Sequence, residues 1–482
     1  MNPNKWRGWV AILVIFVVSV LVRYPLLDRP LSYHHEWLTS TVLRHLEIWS
    51  QDGLKVHHFS PPCTYSDGAN SFINNQGNEL MSARGCFYYI SYPPLAYLLA
   101  YAWMTVLHLK ITVLNLQILN LLFHGLNLIL IWLLGREILK RQPGANLDWA
   151  LAGVVVYAFC PATLWFHGNV YMADMVVQTF FILTVWLALR DWDRPQFTGW
   201  MMLGASVFAM CYTEWLGVLV AGCLGVAYLV LRPRQWGVGV VVLGMASVVA
   251  LGLMAWQYSL IAGWDAYLYA LSAKFLYRSG ATSHWDLHAW LKIGTFYGAN
   301  YLPFLIGLAV AVMLLFRRLV WTFEAKLTLF LTLAPVILHH VLLFNFTSVH
   351  DFSTLKFCVP LSVVAVMLGA VSPRPRVFVA GLLGLAVLGM GQFWGINGRW
   401  EDPYGHIAKV IRAQPKNTVI AVQNRSYCVN PQLIYLAKRN VVTYRSKDQI
   451  RALMRLNQVN HARIISVDAQ GKIAGPEVEL TF

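Results

Sequence analysis

Charged residues are scarce in this sequence. Asp, Glu, Lys and Arg make up 12% of the 482 residues, whereas hydrophobic residues make up 57%, and the mean hydropathy is +0.53. A soluble domain typically carries about 25% charged residues, so the charge here is too sparse to cover the surface of one or more soluble domains. The high hydrophobic content also excludes a disordered chain. The sequence therefore predicts an integral membrane protein.

Acidic residues are scarcer than basic ones. There are 22 Asp and Glu against 37 Lys and Arg, which gives a formal net charge of +15. In a soluble protein this excess would suggest nucleic acid binding. Here the Lys and Arg residues gather in short clusters between apolar runs, as the positive-inside rule expects of cytoplasmic loops. We therefore predict membrane lipids, and no nucleic acid, as partners of the basic clusters.

The sequence has few cysteines and no metal-binding cysteine motif. Its seven Cys form no CxxC pair, and none has the Cys/His spacing of a zinc site. Cys63 and Cys86 lie in one polar segment that we expect outside the cytoplasm. A disulfide between them would contribute roughly 3 kcal/mol, and two free thiols are the alternative.

No small-residue cleavage site follows the first apolar run, residues 9–22, so we expect an uncleaved first span with a cytoplasmic N-terminus. Further runs recur that could each cross a bilayer. Five clusters of Lys and Arg separate these apolar runs. If all five are cytoplasmic, the chain has about 11 spans and its C-terminus lies outside. On this count residues 95–109 form an outer helix that does not cross. The protein is then a multi-pass protein of the plasma (inner) membrane.

The fold class that follows is an all-α polytopic membrane protein with a small C-terminal α/β domain. Residues 1–394 form the membrane domain, with an outer loop at 25–92 that includes an amphipathic stretch at 35–51 and a second outer loop at 257–297. Residues 395–482 form the extracytoplasmic domain. Within it we predict strands at 417–423 and 461–468 and helices at 431–439 and 446–456.

Ionisable side chains at membrane depth or in the outer loops are candidates for function, because charge in a membrane is costly. Glu36 could be a general base, although Glu is also favoured in the first turn of a helix. Asp174 begins a span with no basic residue within helical reach, so it is a catalytic or metal-binding candidate, with helix capping as the alternative. A polar turn before the penultimate span supplies candidate phosphate or sugar contacts, namely His350, Asp351 and Lys356. His339 and His340 lie inside a span, and we interpret them as core histidines.

These motifs together resemble the GT-C superfamily of polyprenyl-phosphate-dependent glycosyltransferases, in its protein O-mannosyltransferase and aminoarabinose-transferase-like branch. The resemblance rests on an acidic motif after the first span, on a Tyr-Pro-Pro segment opening a juxtamembrane helix, and on an acid at the outer end of a later span. The residues that carry these three features are His34-His35-Glu36, Tyr92–Tyr97 and Asp174. The final polar turn, His350 to Pro360, is similar to the family's last lipid-side motif.

The resemblance implies an inverting transfer of a sugar from a polyprenyl-phosphate donor to a lipid, glycan or protein acceptor on the outer face. Where the family has an Asp after the first span, this chain has His35, so the base could be Glu36 or His35, and we assign the role to Glu36. His34 and Tyr92 would contact substrate, and Arg278, Lys274 and Lys356 are the outer cations available for phosphate. Some relatives bind a divalent metal ion, for which Asp174 and Glu36 are the candidate ligands. A transporter or flippase, and a ligase or polymerase of lipid-linked glycans, are the alternative functions.

Overall fold

The computed structural model describes residues 3–31, 34–66, 80–142, 146–232, 234, 236–281, 286–319, 322–402, 404–415, 418–423, 430–443, 447–456, 460–466 and 478–481. Over these residues the chain is predominantly helical up to Asn397. This part contains sixteen α-helices and one two-stranded hairpin, β1 (Leu80–Met81) with β2 (Phe87–Tyr88). The helices are α1 (Pro3–Arg23), α2 (Glu36–Asp52), α3 (Leu95–Val106), α4 (Val113–Lys140), α5 (Ala150–Phe159), α6 (Pro161–Phe166), α7 (Ala173–Arg190), α8 (Phe197–Cys211), α9 (Leu216–Leu231), α10 (Trp236–Ala262), α11 (Trp264–Ser279), α12 (Leu287–Leu315), α13 (Phe323–Leu342), α14 (Phe344–Val349), α15 (Cys358–Val371) and α16 (Pro375–Asn397).

Among the described residues, eight helical segments are long and apolar enough to cross a membrane. They contain α1, α4, α7, α10, α12, α13, α15 and α16, and the shorter apolar helices are α3, α5, α8 and α9. This confirms a helical polytopic membrane protein, whereas the count of about 11 spans stays a prediction. With 12 residues, α3 is about 18 Å long, which is short of a hydrocarbon core of about 30 Å.

Ion pairs join several of the basic loops at one end of the helical bundle, which we call the basic end. Arg141 pairs with Asp193, and its guanidinium Nη1 lies 2.9 Å from Glu324 Oε1. Arg232 also pairs with Asp193. The loops that follow α4, α7 and α9 and the loop that precedes α13 therefore lie together, as expected if all four face the same side of the membrane.

The second outer loop differs from the prediction. The sequence suggested a polar-aromatic loop at 257–297, but α10 continues to Ala262, α12 already begins at Leu287, and α11 lies between them. Gly263 (φ +85°) and Gly280 (φ +73°) flank α11, in a backbone region that favours glycine. The exposed aromatic side chains of α11 suit a helix lying in the membrane interface.

A small α/β domain follows α16, and its predicted strands and helices are confirmed to within a few residues. The four strands form one sheet in the order β4-β3-β5-β6, in which β3 is parallel to β4 and β5, and β6 is antiparallel to β5. The elements are α17 (Tyr404–Ala413), β3 (Thr418–Gln423), α18 (Asn430–Ala437), β4 (Val442–Thr443), α19 (Lys447–Leu456), β5 (His461–Ser466) and β6 (Val478–Thr481).

The small domain packs on α2, the helix predicted as an amphipathic stretch. Ile48 of α2 and Tyr65 share one apolar core with Leu433 of α18. The Asn440 side chain and the Tyr65 backbone exchange two hydrogen bonds of 2.9 Å. One end of α2 is thus fixed to the C-terminal domain, while its other end begins at Glu36.

The predicted disulfide between Cys63 and Cys86 is not formed, although both side chains are buried. The Cys63 N–H donates to the Phe87 carbonyl oxygen over 2.6 Å. This register sets Cys63 against Phe87 rather than against Cys86. Since neighbouring side chains on an extended strand point to opposite faces, the two sulfur atoms are not directed at each other.

Candidate functional site

Two segments that are distant in sequence bring two imidazoles and a carboxylate together at the end of the bundle opposite the basic end. His34 Nε2 lies 2.8 Å from Asp351 Oδ2, and His35 Nε2 lies 2.7 Å from Asp351 Oδ1. Both histidines keep some solvent exposure, whereas Asp351 is 5% exposed. We call these three residues the His–His–Asp cluster.

The backbone and the neighbouring rings fix the two imidazoles. His35 is the N-cap of α2 in the left-handed conformation (φ 60°, ψ 9°), which is uncommon for a residue with a side chain and often marks a functional site. The Trp165 indole N–H donates to the His34 carbonyl oxygen over 3.0 Å, and its ring stacks on the His34 imidazole. The Phe352 ring lies against His35 with a centroid distance of 4.9 Å.

The carboxylate changes the protonation of His34. Burial acts to lower the pKa of His34, but the hydrogen bond and the charge of Asp351 outweigh it and hold that pKa above its ordinary value. The hydrogen bond to the Asn397 side chain and the negative charge of Glu36 also raise the pKa of His34. The hydrogen bond between His34 and Asp351 therefore holds both side chains in place at the mouth of the site.

The ligand atoms of the His–His–Asp cluster fit a divalent metal ion. The two imidazole nitrogens and the carboxylate oxygen lie within 4.8 Å of one another. Two histidines and one carboxylate are a recurrent ligand set for zinc and other first-row transition metals. The metal candidates suggested by the sequence were Asp174 and Glu36. In the structure, each of these two carboxylates instead forms an ion pair with a cationic side chain.

Glu36 lies beside the cluster but is bonded to Arg29. Arg29 Nε lies 3.0 Å from Glu36 Oε1, and the two side chains are 2% and 0% exposed. The Arg29 guanidinium also lies over the Trp165 ring, 5.0 Å from its centroid. A proton transferred to Glu36 would break this ion pair. The assignment of Glu36 as the base stays a prediction.

A second group of ionisable residues is fully buried between α7, α9, α13 and α15. Lys356 forms an ion pair with Asp174, and its Nζ lies 3.8 Å from Glu214 Oε1. His339 Nε2 lies 3.1 Å from the same Glu214 oxygen. All four side chains are 0% exposed. We call these residues the buried charge cluster.

This cluster corrects two sequence predictions. Lys356 is not an outer cation free to bind phosphate, because it is buried between two carboxylates. Asp174, which has no basic neighbour along its own helix, obtains one from a segment 182 residues away. His339 is buried and bonded to Glu214, which confirms its interpretation as a core histidine. His340 is half-buried, and its Nε2 lies 3.0 Å from the Tyr297 hydroxyl. No pattern in the sequence indicated that Glu214 meets Lys356.

An apolar groove of ≈ 460 Å³ runs between α9, α10, α11 and α13 and reaches two cations of α11. Lys274 Nζ donates to the Ser91 hydroxyl, and Arg278 Nη1 donates to the Ser91 carbonyl oxygen, both over 3.0 Å. The Arg278 guanidinium lies over the Tyr92 ring, 5.1 Å from its centroid. The structure thus brings predicted substrate residues Arg278 and Tyr92 together at the end of this groove.

Aromatic contacts connect these cations to the His–His–Asp cluster. The Arg278 guanidinium lies 4.9 Å from the centroid of the Phe346 ring, and that ring lies 5.0 Å from the His350 ring. The His350 ring in turn lies 6.0 Å from the His35 ring. A chain of side-chain contacts therefore links the two cations at the end of the groove to the cluster.

Structural comparison identifies the fold that carries this site. The structure superimposes on the Archaeoglobus fulgidus oligosaccharyltransferase, crystallised with Zn and sulfate, with a TM-score of 0.60 and 10% identity over 94% of this chain and 68% of that one. It superimposes on ArnT from Cupriavidus metallidurans, bound to undecaprenyl phosphate, with a TM-score of 0.57 and 14% identity over 95% of this chain and 93% of that one. The chain has a GT-C fold.

The GT-C fold confirms the resemblance drawn from the sequence motifs. Comparison of the sequence itself with family models and with curated proteins gives no match. The identities to the two structures are low, so the similarity establishes the architecture and leaves substrate and chemistry to be argued from this chain's own residues.

Proposed function

We propose that this GT-C protein is a glycosyltransferase that moves a sugar from a polyprenyl-phosphate carrier to an acceptor hydroxyl. The observation that carries the proposal is the apolar groove that ends at two cations, which a chain of aromatic contacts links to the His–His–Asp cluster. The neighbours support it, since ArnT was crystallised with undecaprenyl phosphate and the archaeal enzyme AglB with a dolichol phosphate.

The groove and α11 suit the two parts of such a carrier. An isoprenoid chain is apolar and matches the lining of the groove, which includes Leu219, Leu271 and Leu342. The phosphate needs cations, and Lys274 and Arg278 offer them where the groove ends. Charge-assisted hydrogen bonds from Lys and Arg are the usual means of holding phosphate. The donor sugar would then extend from the phosphate towards His350 and the cluster.

The transfer is a displacement at the anomeric carbon of the sugar. The acceptor oxygen forms a bond to that carbon while the bond from the carbon to the phosphate oxygen breaks, and the configuration inverts. The electron pair leaves with the polyprenyl phosphate, whose growing charge Lys274 and Arg278 stabilise. The acceptor proton passes to a side chain within hydrogen-bond reach of the hydroxyl.

We assign proton acceptance to the His–His–Asp cluster rather than to Glu36. Asp351 and the two imidazoles retain access to solvent through His34 and His35, whereas Glu36 is buried against Arg29. A divalent metal ion held by His34, His35 and Asp351 would supply positive charge that stabilises an acceptor alkoxide. In either case Asp351 holds the two imidazoles in position.

The test is turnover by purified protein with a panel of polyprenyl-phosphate sugars, measured as release of the free lipid phosphate. We expect Asp351→Asn to lower turnover by about 10²–10⁴-fold, whereas Asp265→Asn, an exposed acid on α11, leaves it unchanged. Equal losses in both variants, or full activity of Asp351→Asn, would contradict the assignment. Turnover only with a diphosphate-linked glycan would favour the ligase or polymerase alternative, and carrier translocation without lipid phosphate release would favour a flippase.

Metal dependence is tested on the same protein. If the cluster holds a divalent ion, incubation with a chelator should abolish turnover, and added zinc or manganese should restore it. The metal content of the purified protein should fall in His34→Ala and stay unchanged in His288→Ala, an exposed histidine outside the cluster. Full turnover after complete removal of metal would show that the side chains act alone.

A further inference from the structure

A second groove opens on the bundle surface at the basic end, between α12 and α16. It has a volume of ≈ 400 Å³ and an apolar lining that includes Leu308, Leu314, Val377 and Leu382. Arg374, which precedes α16, closes one end of it. The groove is far from the candidate active site, because α15 runs from the polar turn at Asp351 to the basic end before α16 begins.

Glycines shape this groove. At Gly307 the two helices are in close contact, since an added Cβ atom would lie 2.5 Å from the Leu385 side chain. At Gly381, one helical turn from Leu385 on the same helix, no atom lies within 4 Å of an added Cβ. The helices therefore touch near Gly307 and leave an open, apolar slot on the side towards Arg374.

One cation, Arg374, lines the slot, and two more follow the end of α12. Arg317 and Arg318 follow directly after α12, whose Leu314 and Leu315 line the groove. Over the residues that the structure describes, no ion pair joins Arg317, Arg318 or Arg374 to a carboxylate. Four acidic residues of this end are engaged instead by Arg141, Arg190 and Arg232 and by Lys140. Asp148, which lies between α4 and α5, forms no ion pair among the described residues.

We propose that this groove binds an anionic phospholipid, with an acyl chain in the slot and the phosphate at Arg374, the cation that lines it. A water-soluble anion would gain nothing from the apolar lining, and a lipid without net charge would gain little from the guanidinium group. Basic pockets between membrane helices on the cytoplasmic side commonly bind anionic lipid head groups. The polyprenyl carrier is not the occupant, because its phosphate site lies at the opposite end of the bundle.

In the experiment, the full chain is reconstituted into nanodiscs that contain equal amounts of phosphatidylglycerol and phosphatidylcholine, and it is then released from them. Native mass spectrometry then counts the lipids retained. We expect the protein to retain phosphatidylglycerol in preference to phosphatidylcholine. In Arg374→Gln the affinity for phosphatidylglycerol should be about fivefold weaker, because one cation near an anionic lipid surface changes binding by about that factor. Gly381→Leu should reduce retention of that lipid by filling the slot.

Two matched variants make the result specific. Arg376→Gln removes a neighbouring cation that does not line the groove, and Gly384→Leu adds a side chain on the same helix where nothing lies within 4 Å either. Both should retain phosphatidylglycerol as the unmodified protein does. Equal retention in all four variants, or no preference for phosphatidylglycerol over phosphatidylcholine, would overturn the proposal. Melting temperatures of the variants identify any loss caused by misfolding.

Discussion

The ion pair between Glu36 and Arg29 shows how the environment of a residue decides which chemistry it can carry out. Both side chains are excluded from solvent, and Trp165 covers the guanidinium. Two desolvated charges persist only when each compensates the other, so removal of one partner leaves an uncompensated buried charge. Glu36 therefore has a structural use that does not require it to accept a proton.

This use predicts the behaviour of Glu36→Gln. We expect the free energy of unfolding to fall by about 3–5 kcal/mol, the usual cost of breaking a buried ion pair. Turnover per folded molecule should fall much less than in Asp351→Asn. Denaturation and turnover measured on the same preparations test this. A variant of normal stability with a turnover loss of about 10²–10⁴-fold would return the role of base to Glu36.

The sequence predicted which residues are unusual better than it predicted their partners. The sequence indicates functional roles for Asp351, His34 and His35, because ionisable groups are rare in this chain. The structure places these three residues together. Lys356 attracted notice for the same reason, yet it is buried against Asp174 and Glu214. These three residues come from segments that are distant in sequence, and their pairing depends on how the bundle packs, which no local pattern encodes.

At the scale of single elements, the 16 residues of α11 include both exposed apolar side chains and cations that reach the groove. Leu268 and Tyr269 are exposed on the helix, while Lys274 and Arg278 reach Ser91 beside the groove. The sequence indicated the aromatic and basic composition of this segment but not its helical structure. A short helix between two glycines lacks the long apolar run by which membrane helices are recognised.

Lys274 and Arg278 should affect donor binding as well as rate, because phosphate contacts act in the ground state and in the transition state. We expect Lys274→Ala and Arg278→Ala each to weaken the affinity for polyprenyl phosphate and to lower kcat/KM. Lys292→Ala, an exposed cation on α12 outside the groove, is the control. Titration of the three variants with polyprenyl phosphate measures the effect. Unchanged affinity in the first two would place the phosphate elsewhere.

At the scale of the whole molecule, composition and basic clusters predicted most of the architecture. The apolar runs become helices, the basic loops meet at one end, and the C-terminal strands and helices form where the pattern places them. The count of about 11 crossings, drawn from the same signals, stays a prediction. Helices such as α5, α8 and α9 are shorter than a typical span, and length alone does not decide whether they cross.

Membrane orientation can be tested directly. We expect a reporter fused at Gln142, after α4, to report a cytoplasmic location, and a reporter fused at the C-terminus to report an outer location. The first result depends on α3 not crossing, because one more crossing would invert every later loop. An outer signal at Gln142, or a cytoplasmic signal at the C-terminus, would contradict the predicted orientation.

The contact between α2 and the C-terminal domain has a consequence for biosynthesis. Tyr65 and Asn440, which exchange hydrogen bonds, are 375 residues apart in sequence. In the predicted orientation, α2 emerges from the translocation machinery early in synthesis, when the Ile48 side chain is still exposed. Its partners Leu433 and Ile434 follow only when nearly the whole chain has been made. The first loop must therefore stay unaggregated throughout translation, and a nascent chain arrested before residue 430 would lack the packing partners of Ile48.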